Sequence, residues 1–173
     1  MKILHVLSQV TPTGAEFYAT ALANSHSQQG HEVYIVSDTL TAPTQAAYHP
    51  QAIDDRSYKQ RFSNIRFIRK FVNKYGIDVV HAHSRAASWV AYFALLGTKV
   101  PLISTIHGRQ HLHLSTKLYD IYGDHVVAVC HNLKTHLVQE VKMNAKKITV
   151  LPNGIDFSLL SKPQVVTQSA KKK

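Results

Sequence analysis

Cysteine is almost absent from this chain of 173 residues: Cys130 stands alone, which excludes an intramolecular disulfide. Long apolar runs are also absent. The longest, at residues 89–96, is far shorter than the roughly 20 residues of a membrane-spanning helix. The apolar stretch behind Lys2 is interrupted by polar residues, which argues against a signal peptide. We therefore expect a cytoplasmic protein.

Acidic residues are scarce too: 10 Asp and Glu face 20 Lys and Arg, for a net charge of +10. Four of these lysines lie in the last 13 residues and leave +6 on the rest of the chain (Lys162, Lys171, Lys172 and Lys173). Such a surplus favours an anionic partner, for example nucleic acid, an acidic membrane surface or a phosphorylated glycan. It is equally typical of a solvated basic surface, so charge alone names no ligand.

Short runs of β-forming residues alternate along the chain with segments of helical periodicity. We predict strands at residues 2–8, 32–37, 78–83, 101–107, 125–130 and 147–151, and helices at 15–29, 63–75, 85–96, 115–122 and 132–142. Residues 38–58 show no clear period and are predicted to form a loop with one short helical turn. This alternation predicts an α/β fold, a doubly wound, Rossmann-like parallel sheet. One domain is expected at residues 1–160, followed by a disordered tail at 161–173.

Ligands of open α/β sheets bind beyond the carboxyl ends of the strands, so the residues that follow each predicted strand are the candidates. Among them, Gly14 opens a helix whose first amides suit a phosphate, although from the loop alone a plain turn glycine is the favoured interpretation. A dinucleotide cofactor would need G-x-G-x-x-G in this loop, with an acid such as Asp38 further on. The loop has a single glycine, which excludes that cofactor.

The chain has 12 histidines, and a zinc site is the obvious alternative that they suggest. His81 and His83 share one face of a predicted strand, with further histidines at positions 107, 111 and 113. Zinc ligands need supporting carboxylates, which are few here, so we predict no metal. His81 is expected to be a buried structural residue. Cys130 ends an apolar predicted strand and is expected to be a buried, unreactive thiol.

Several segments together resemble one family. They are residues 13–16 (TGAE), 29–33 (QGHEV), 78–84 (DVVHAHS), 105–108 (TIHG) and 150–156 (VLPNGID). In this order and spacing they are similar to the N-terminal domain of retaining glycosyltransferases of family 4, which have the GT-B fold. Thr13 departs from the pattern, since the family usually has a glycine there. The family continues into a second Rossmann-like domain that holds most of the nucleotide sugar, and we expect that domain to be missing here.

The resemblance implies transfer of a sugar from a nucleotide-diphosphate sugar to a glycan or glycolipid acceptor, with retained anomeric configuration and no cofactor. The leaving diphosphate would be stabilised by the second domain, so the chain alone is expected to be inactive. The residue roles that the resemblance implies are donor binding by Thr13 and Gly14, catalysis by His107, acceptor binding by His83, Ser84, Arg85 and Arg109, and a hinge at Asn153 and Gly154.

Two other functions stay open at this point: a non-catalytic Rossmann-like binding module that keeps the acceptor site, and a metal-dependent hydrolase built on the histidines. The basic face of the predicted helix at residues 65–74 favours a phosphorylated, lipid-linked acceptor, such as lipopolysaccharide core, at the inner face of a membrane. An anionic membrane surface is therefore an expected partner, and nucleic acid is not.

Overall fold

The computed structural model describes residues 1–8, 11, 13–109 and 119–154. Its strands are β1 (Lys2–Val6), β2 (Glu32–Ser37), β3 (Ala47–Pro50), β4 (Val79–Ala82), β5 (Leu102–Ile106), β6 (His125–Ala128) and β7 (Ile148–Val150). Its helices are α1 (Gly14–Gln28), α2 (Tyr58–Tyr75), α3 (Arg85–Leu95) and α4 (His131–Gln139), with one 3-10 turn at Ala145–Lys147.

The seven strands form one sheet in the order β3-β2-β1-β4-β5-β6-β7, and every neighbouring pair is parallel. The direction in which the chain adds strands reverses between β1 and β4, which defines the topological switch point. In the register of this pair His5 lies opposite His81. The predicted doubly wound, Rossmann-like α/β fold is thereby confirmed.

The two faces of the sheet are covered by different helices. Helices α2 and α3 pack on the face that carries Leu4, Val36 and Val80, and α4 packs on Val126 and Ile148. Helix α1 covers the opposite face, where its small residues Ala19 and Ala23 lie against Ile35 and Leu7. Alternation along each strand sends successive side chains to opposite faces, so His5 and His83 point toward α1.

Three local expectations were wrong. The predicted loop at 38–58 contains β3, an edge strand that pairs with β2 and ends at Pro50, where the missing N–H is tolerated. Helix α2 begins five residues before the predicted position, because Ser57 caps it by accepting the Gln60 N–H at 3.3 Å. Cys130 is exposed, since it is the N-cap of α4 rather than an inward strand residue.

Most other elements follow the prediction. The six predicted strands are present as β1, β2 and β4 to β7, and four predicted helices as α1 to α4. The predicted helix at 115–122 is wrong at residues 119–122, which form a bend and a turn, while residues 115–118 lie outside the described residues, as does the tail. Among the helices that the structure describes, none combines the length and hydropathy needed to cross a bilayer.

Two glycines with positive φ differ in what surrounds them. Gly97 has φ 76° and nothing within 4 Å of a Cβ placed there. Gly123 has φ 77°, and a Cβ there would lie 2.5 Å from Cβ of Leu102 and 2.6 Å from its carbonyl oxygen. The tight approach is held by Asp124, whose N–H donates to the Leu102 carbonyl at 2.8 Å. Glycine is thus required at position 123 for two reasons, the positive φ and the lack of space for a Cβ beside Leu102.

We expect Gly97→Ala to cost about 1 kcal/mol of folding free energy, the strain of a left-handed residue alone. Gly123→Ala should cost about 3 kcal/mol, because the clash with Leu102 adds to the same strain. Urea unfolding of both variants against the parent chain measures the two costs. Equal costs would contradict the close approach of Gly123 to β5.

Candidate functional site

The carboxyl ends of β1 and β4 meet at the switch point, where the backbone is tied across the two strands. The His83 N–H donates to the Val6 carbonyl at 3.0 Å. Just beyond, the hydroxyls of Ser8 and Ser84 lie 2.7 Å apart. These bonds fix the segments after β1 and β4 against each other, in the crevice where ligands of open α/β sheets bind.

Two imidazoles line this crevice beneath α1. The rings of His83 and His107 lie 6.2 Å apart and nearly parallel. Tyr18 of α1 packs edge-on against both, 5.0 Å from His107 and 6.0 Å from His83 between ring centroids. Nδ1 of His83 and Nε2 of His107 are buried and have no hydrogen-bond partner among the described residues. Because unsatisfied buried polar atoms are costly, both nitrogens are candidate ligand contacts.

His5, His81 and His83 form a tight buried group below the crevice. Burial, reinforced by neighbouring imidazoles, lowers the pKa of His81 to about 3 and the pKa values of His5 and His83 well below 6.5. Burial likewise lowers the pKa of His107. The imidazoles are therefore neutral at physiological pH, and each offers one donor and one acceptor.

This group is also the strongest candidate for a metal site among the described residues, since its ligand nitrogens lie within 4.8 Å of one another. Four of the six ring nitrogens in this group are already hydrogen-bonded, however. Both nitrogens of His5 are hydrogen-bonded to other imidazoles, and Nε2 of His81 lies 2.7 Å from Oγ1 of Thr105. The donor set thus favours a hydrogen-bonded cluster over a metal. The buried structural role expected for His81 is confirmed, whereas the absence of a metal stays a prediction.

Ser84 and Arg85 open α3 at the rim of the crevice. Ser84 is the N-cap and accepts the Ala87 N–H at 3.1 Å. Arg85 is half-buried, and burial lowers its pKa, as do Arg61 and Arg56. The guanidinium is so basic that it nevertheless remains charged. It places a positive charge beside Tyr122, whose pKa burial raises to about 12.

The start of α1 is open toward solvent. Thr13 is the N-cap but makes no side-chain capping bond. Gly14 is exposed, has no positive φ, and a Cβ there would meet nothing within 4 Å. The described protein atoms therefore give no reason for glycine at position 14. A need for it would come from a ligand that approaches the backbone.

Glu16 in the first turn of α1 is fully buried. Its Oε1 accepts the N–H groups of Thr41 and Ala42 at 2.6 and 2.9 Å, and the Thr41 hydroxyl at 2.8 Å. Burial alone would raise the pKa of Glu16, but these hydrogen bonds outweigh it and lower the pKa. Glu16 thus holds the loop after β2 against α1 and positions the helix start.

The remaining predicted site residues lie apart from this group. Arg109 is exposed, and after the hydrogen bond with His136 its charge is a minor cause of the lowered pKa of Glu140. Asn153 and Gly154 are exposed and follow β7 at the edge of the sheet. Asp38 serves the loop, since its carboxylate accepts the Asp54 N–H at 3.0 Å. A cavity of ≈ 490 Å³ beside Leu102 lies at the opposite end of the strands, away from the unpartnered nitrogens.

Sequence reasoning assigned no role to five residues that the structure brings to or below the site: His5, Ser8, Glu16, Tyr18 and His26. Glu16 stood within a motif segment, and Tyr18 lies one helical turn after Gly14. These were the available signals. Nothing in the sequence pairs His5 with His26 or Ser8 with Ser84.

The sequence matches Glycosyltransferase Family 4 over residues 12–159, which is most of the chain. The chain belongs to glycosyltransferase family 4. Among proteins of curated function, none matches this sequence.

Solved structures agree with this glycosyltransferase assignment. A glycosyltransferase from Rickettsia africae is 25% identical and superposes with a TM-score of 0.79, over 92% of this chain and 45% of its own. Anabaena HepE, solved with UDP-glucose, is 17% identical with a TM-score of 0.73, over 92% and 45%. The lipopolysaccharide outer core galactosyltransferase WaaB is 14% identical with a TM-score of 0.70, over 91% and 47%. The chain therefore spans a little under half the length of these enzymes.

The buried neutral histidines predict marked acid sensitivity. Their folded-state pKa values lie below the 6.5 of an exposed histidine, so below pH 6.5 the unfolded chain binds more protons. The free energy of unfolding is therefore highest above pH 6.5 and decreases as pH falls and the unfolded chain takes up protons. Because of His5, His81 and His83, the free energy of unfolding should be about 4 kcal/mol lower at pH 5.5 than at pH 7.5. Urea unfolding at the two pH values measures the loss.

His81→Gln should reduce this loss by about a third, because one of three proton-binding sites of the unfolded chain is gone. His131→Gln, at an exposed position, should leave it unchanged. Equal stability of the parent chain at both pH values would refute the neutral, buried state of the cluster.

Proposed function

We propose that this chain is the acceptor-side half of a retaining glycosyltransferase that uses a nucleotide-diphosphate sugar and a glycan or glycolipid acceptor. The observation that carries the proposal is a pair of buried nitrogens, on His83 and His107, that lack a partner among the described residues and lie at the switch point of a family 4 chain. Anabaena HepE, one of the similar structures, was solved in complex with UDP and with UDP-glucose. The donor nucleotide and sugar would be held mainly by a second domain.

On the donor side, the start of α1 would face the diphosphate or the transferred sugar. The first amides of a helix have no partner within the helix, and the helix dipole favours an anion there. The open space around Gly14 lets a ligand reach these amides closely. Thr13 would flank the same approach as the N-cap.

On the acceptor side, His107 would orient the reacting hydroxyl. In its neutral imidazole the buried nitrogen Nε2, which has no partner among the described residues, can hydrogen-bond a sugar hydroxyl. Tyr18 packs edge-on against the His107 ring and would hold it in this orientation. His83, Ser84 and Arg85 would border the acceptor, and the Arg85 charge suits a phosphorylated one. Arg109 would reach the acceptor only from outside this group.

We expect the isolated chain to transfer no sugar, because the groups that neutralise the leaving diphosphate would belong to the second domain. In a full-length enzyme that contains this chain, His107→Ala should lower kcat by about 100-fold or more, the usual contribution of a group that assists proton transfer. Gly14→Val should raise KM for the donor, since a branched side chain would cover the helix start. Steady-state kinetics with varied nucleotide sugar measures both.

His125→Ala is the matched control, because His125 contacts Thr149 at the far side of the sheet and lies outside the site. It should leave both constants unchanged. Sugar transfer by the isolated chain would show that the donor site is complete within these residues. If kcat of the His107→Ala variant equals that of the parent enzyme, His107 has only a structural role.

We also propose that the outer face of α2 contacts an anionic membrane or phosphorylated glycan. Tyr58 and Phe62 are 93% and 61% exposed, and the helix has no acidic residue. Arg66, Lys70 and Lys74 are exposed on the same side. Aromatic rings among cations are typical of helices that lie at a membrane surface. Arg69 is different, because its Nη1 also donates to the carbonyls of Ala94 and Leu96 at the end of α3.

Replacing Arg66, Lys70 and Lys74 by Gln should weaken binding to vesicles that contain phosphatidylserine by roughly 100-fold, at about 1 kcal/mol for each cation. Arg69 is kept so that α3 keeps its cap. Because exposed charges are screened beyond about 10 Å at 0.1 M salt, binding of the parent chain should fade as salt rises. Vesicle co-sedimentation measures both effects.

The control variant replaces Lys99, Lys142 and Lys146, which are exposed elsewhere, and so removes the same charge. The four C-terminal lysines are changed to Gln in every protein compared. Binding lost equally in both triple variants, or equal binding to neutral phosphatidylcholine vesicles, would exclude α2 as the contact surface.

A further inference from the structure

Three imidazoles form a hydrogen-bonded chain from the last turn of α1 to the site. Nδ1 of His26 lies 3.3 Å from Nε2 of His5, and Nδ1 of His5 lies 2.9 Å from Nε2 of His83. His26 is half-exposed, whereas His5 and His83 are buried. The chain therefore leads from the surface, through β1, to the residue that follows β4. Its inner end is Nδ1 of His83, the buried unpartnered nitrogen in the crevice.

The surroundings keep all three rings neutral. The titratable groups that face them are imidazoles and one phenol: His31 at 6.1 Å from His26, His81 at 5.4 Å from His5 and 4.2 Å from His83, and His107 and Tyr18 at 6.2 and 6.0 Å from His83. Beyond them, the N-terminal amine lies 3.5 Å from Nδ1 of His31. Burial, then the neighbouring imidazoles, lower the pKa of each ring, and no acidic group is among the causes.

Neutrality leaves only two proton arrangements. A neutral imidazole has one N–H, so His5 can donate through Nδ1 or through Nε2 but not both. If it donates through Nδ1 to His83, then His26 must donate to it, and all three rings carry the proton on Nδ1. If it donates through Nε2 to His26, then His83 must donate to it, and all three carry the proton on Nε2. The three histidines must share one tautomer.

We infer that His26 and His5 are positioning residues that determine, through this chain, whether Nδ1 of His83 donates or accepts a hydrogen bond in the site. In the Nδ1–H arrangement His83 presents a donor to a ligand lone pair. In the Nε2–H arrangement it presents an acceptor to a ligand hydroxyl. The same side chain thus offers two different contacts, selected from the opposite end of α1.

The chain also provides a route for one proton. In the Nε2–H arrangement, a proton taken up at Nδ1 of His83 moves the His83 Nε2 proton to Nδ1 of His5. The Nε2 proton of His5 then moves to Nδ1 of His26, and the Nε2 proton of His26 leaves to solvent. All three rings are neutral before and after the transfer, which ends in the Nδ1–H arrangement. That this route carries the proton of an acceptor hydroxyl rests on the proposed function, whereas the shared tautomer does not.

The test determines the tautomers of the three histidines directly, by long-range proton–nitrogen NMR of the ¹⁵N-histidine-labelled protein at pH 8. In the parent protein His26, His5 and His83 should show the same tautomer. His26→Lys offers only a donor and should place the proton wholly on Nδ1 of His83. His26→Glu offers only an acceptor and should move it wholly to Nε2. A packing role for His26 would not produce opposite shifts at His83.

His31→Lys and His31→Glu are matched controls, since they add the same charges beside His26 but outside the chain. His83 should keep the parent tautomer in both. Differing tautomers among the three parent histidines would overturn the inference, as would one and the same His83 tautomer in both His26 variants. If a variant does not fold, the comparison within the parent protein decides alone. No sugar transfer is measured, so failure here leaves the proposed function intact.

Discussion

The parallel pairing of β1 with β4 is the contact on which the site depends. It sets His5 opposite His81 and ties the His83 amide to the Val6 carbonyl. Side chains alternate along a strand, so a shift of one residue would send His5 to the face covered by α2 and α3. The imidazoles would then lie among apolar side chains without partners. Register, crevice and histidine cluster are therefore one structural unit, and the other strands extend it sideways.

Much of the fold could be predicted because the buried strands are short runs of β-forming residues separated by helices of clear period. The exception is β3. Its four residues show no alternation of apolar and polar groups, follow Pro43 closely and end at Pro50, and they are ordered by pairing with β2. The start of α2 was missed for a related reason. Its apolar period begins at Ile65, whereas the first turn is held by Ser57 and by Arg61, whose guanidinium lies 4.8 Å over the Trp89 ring.

The site was predictable where it follows from strand ends. His83, Ser84, Arg85 and His107 each come directly after or at the end of a parallel strand, and the sheet order brings them together. The rule could not distinguish these residues from Arg109, which follows the same strand as His107 and is exposed. Nor could it find contacts between residues that are distant in sequence. The bonds from His5 reach positions 21 and 78 residues away, and only the folded register shows that all three rings lie in one line.

The imidazole chain also bears on how this protein can change by mutation. Each of its members supplies the donor or acceptor that the next one lacks, and two of them, His5 and His83, are buried. Loss of one member leaves an unsatisfied nitrogen in another, which carries the desolvation cost of a buried polar group. Replacement of all members by apolar residues of similar shape removes that cost. Loss of the histidine at position 5 or 83 alone should therefore lower the free energy of unfolding more than joint replacement of the three by apolar residues does.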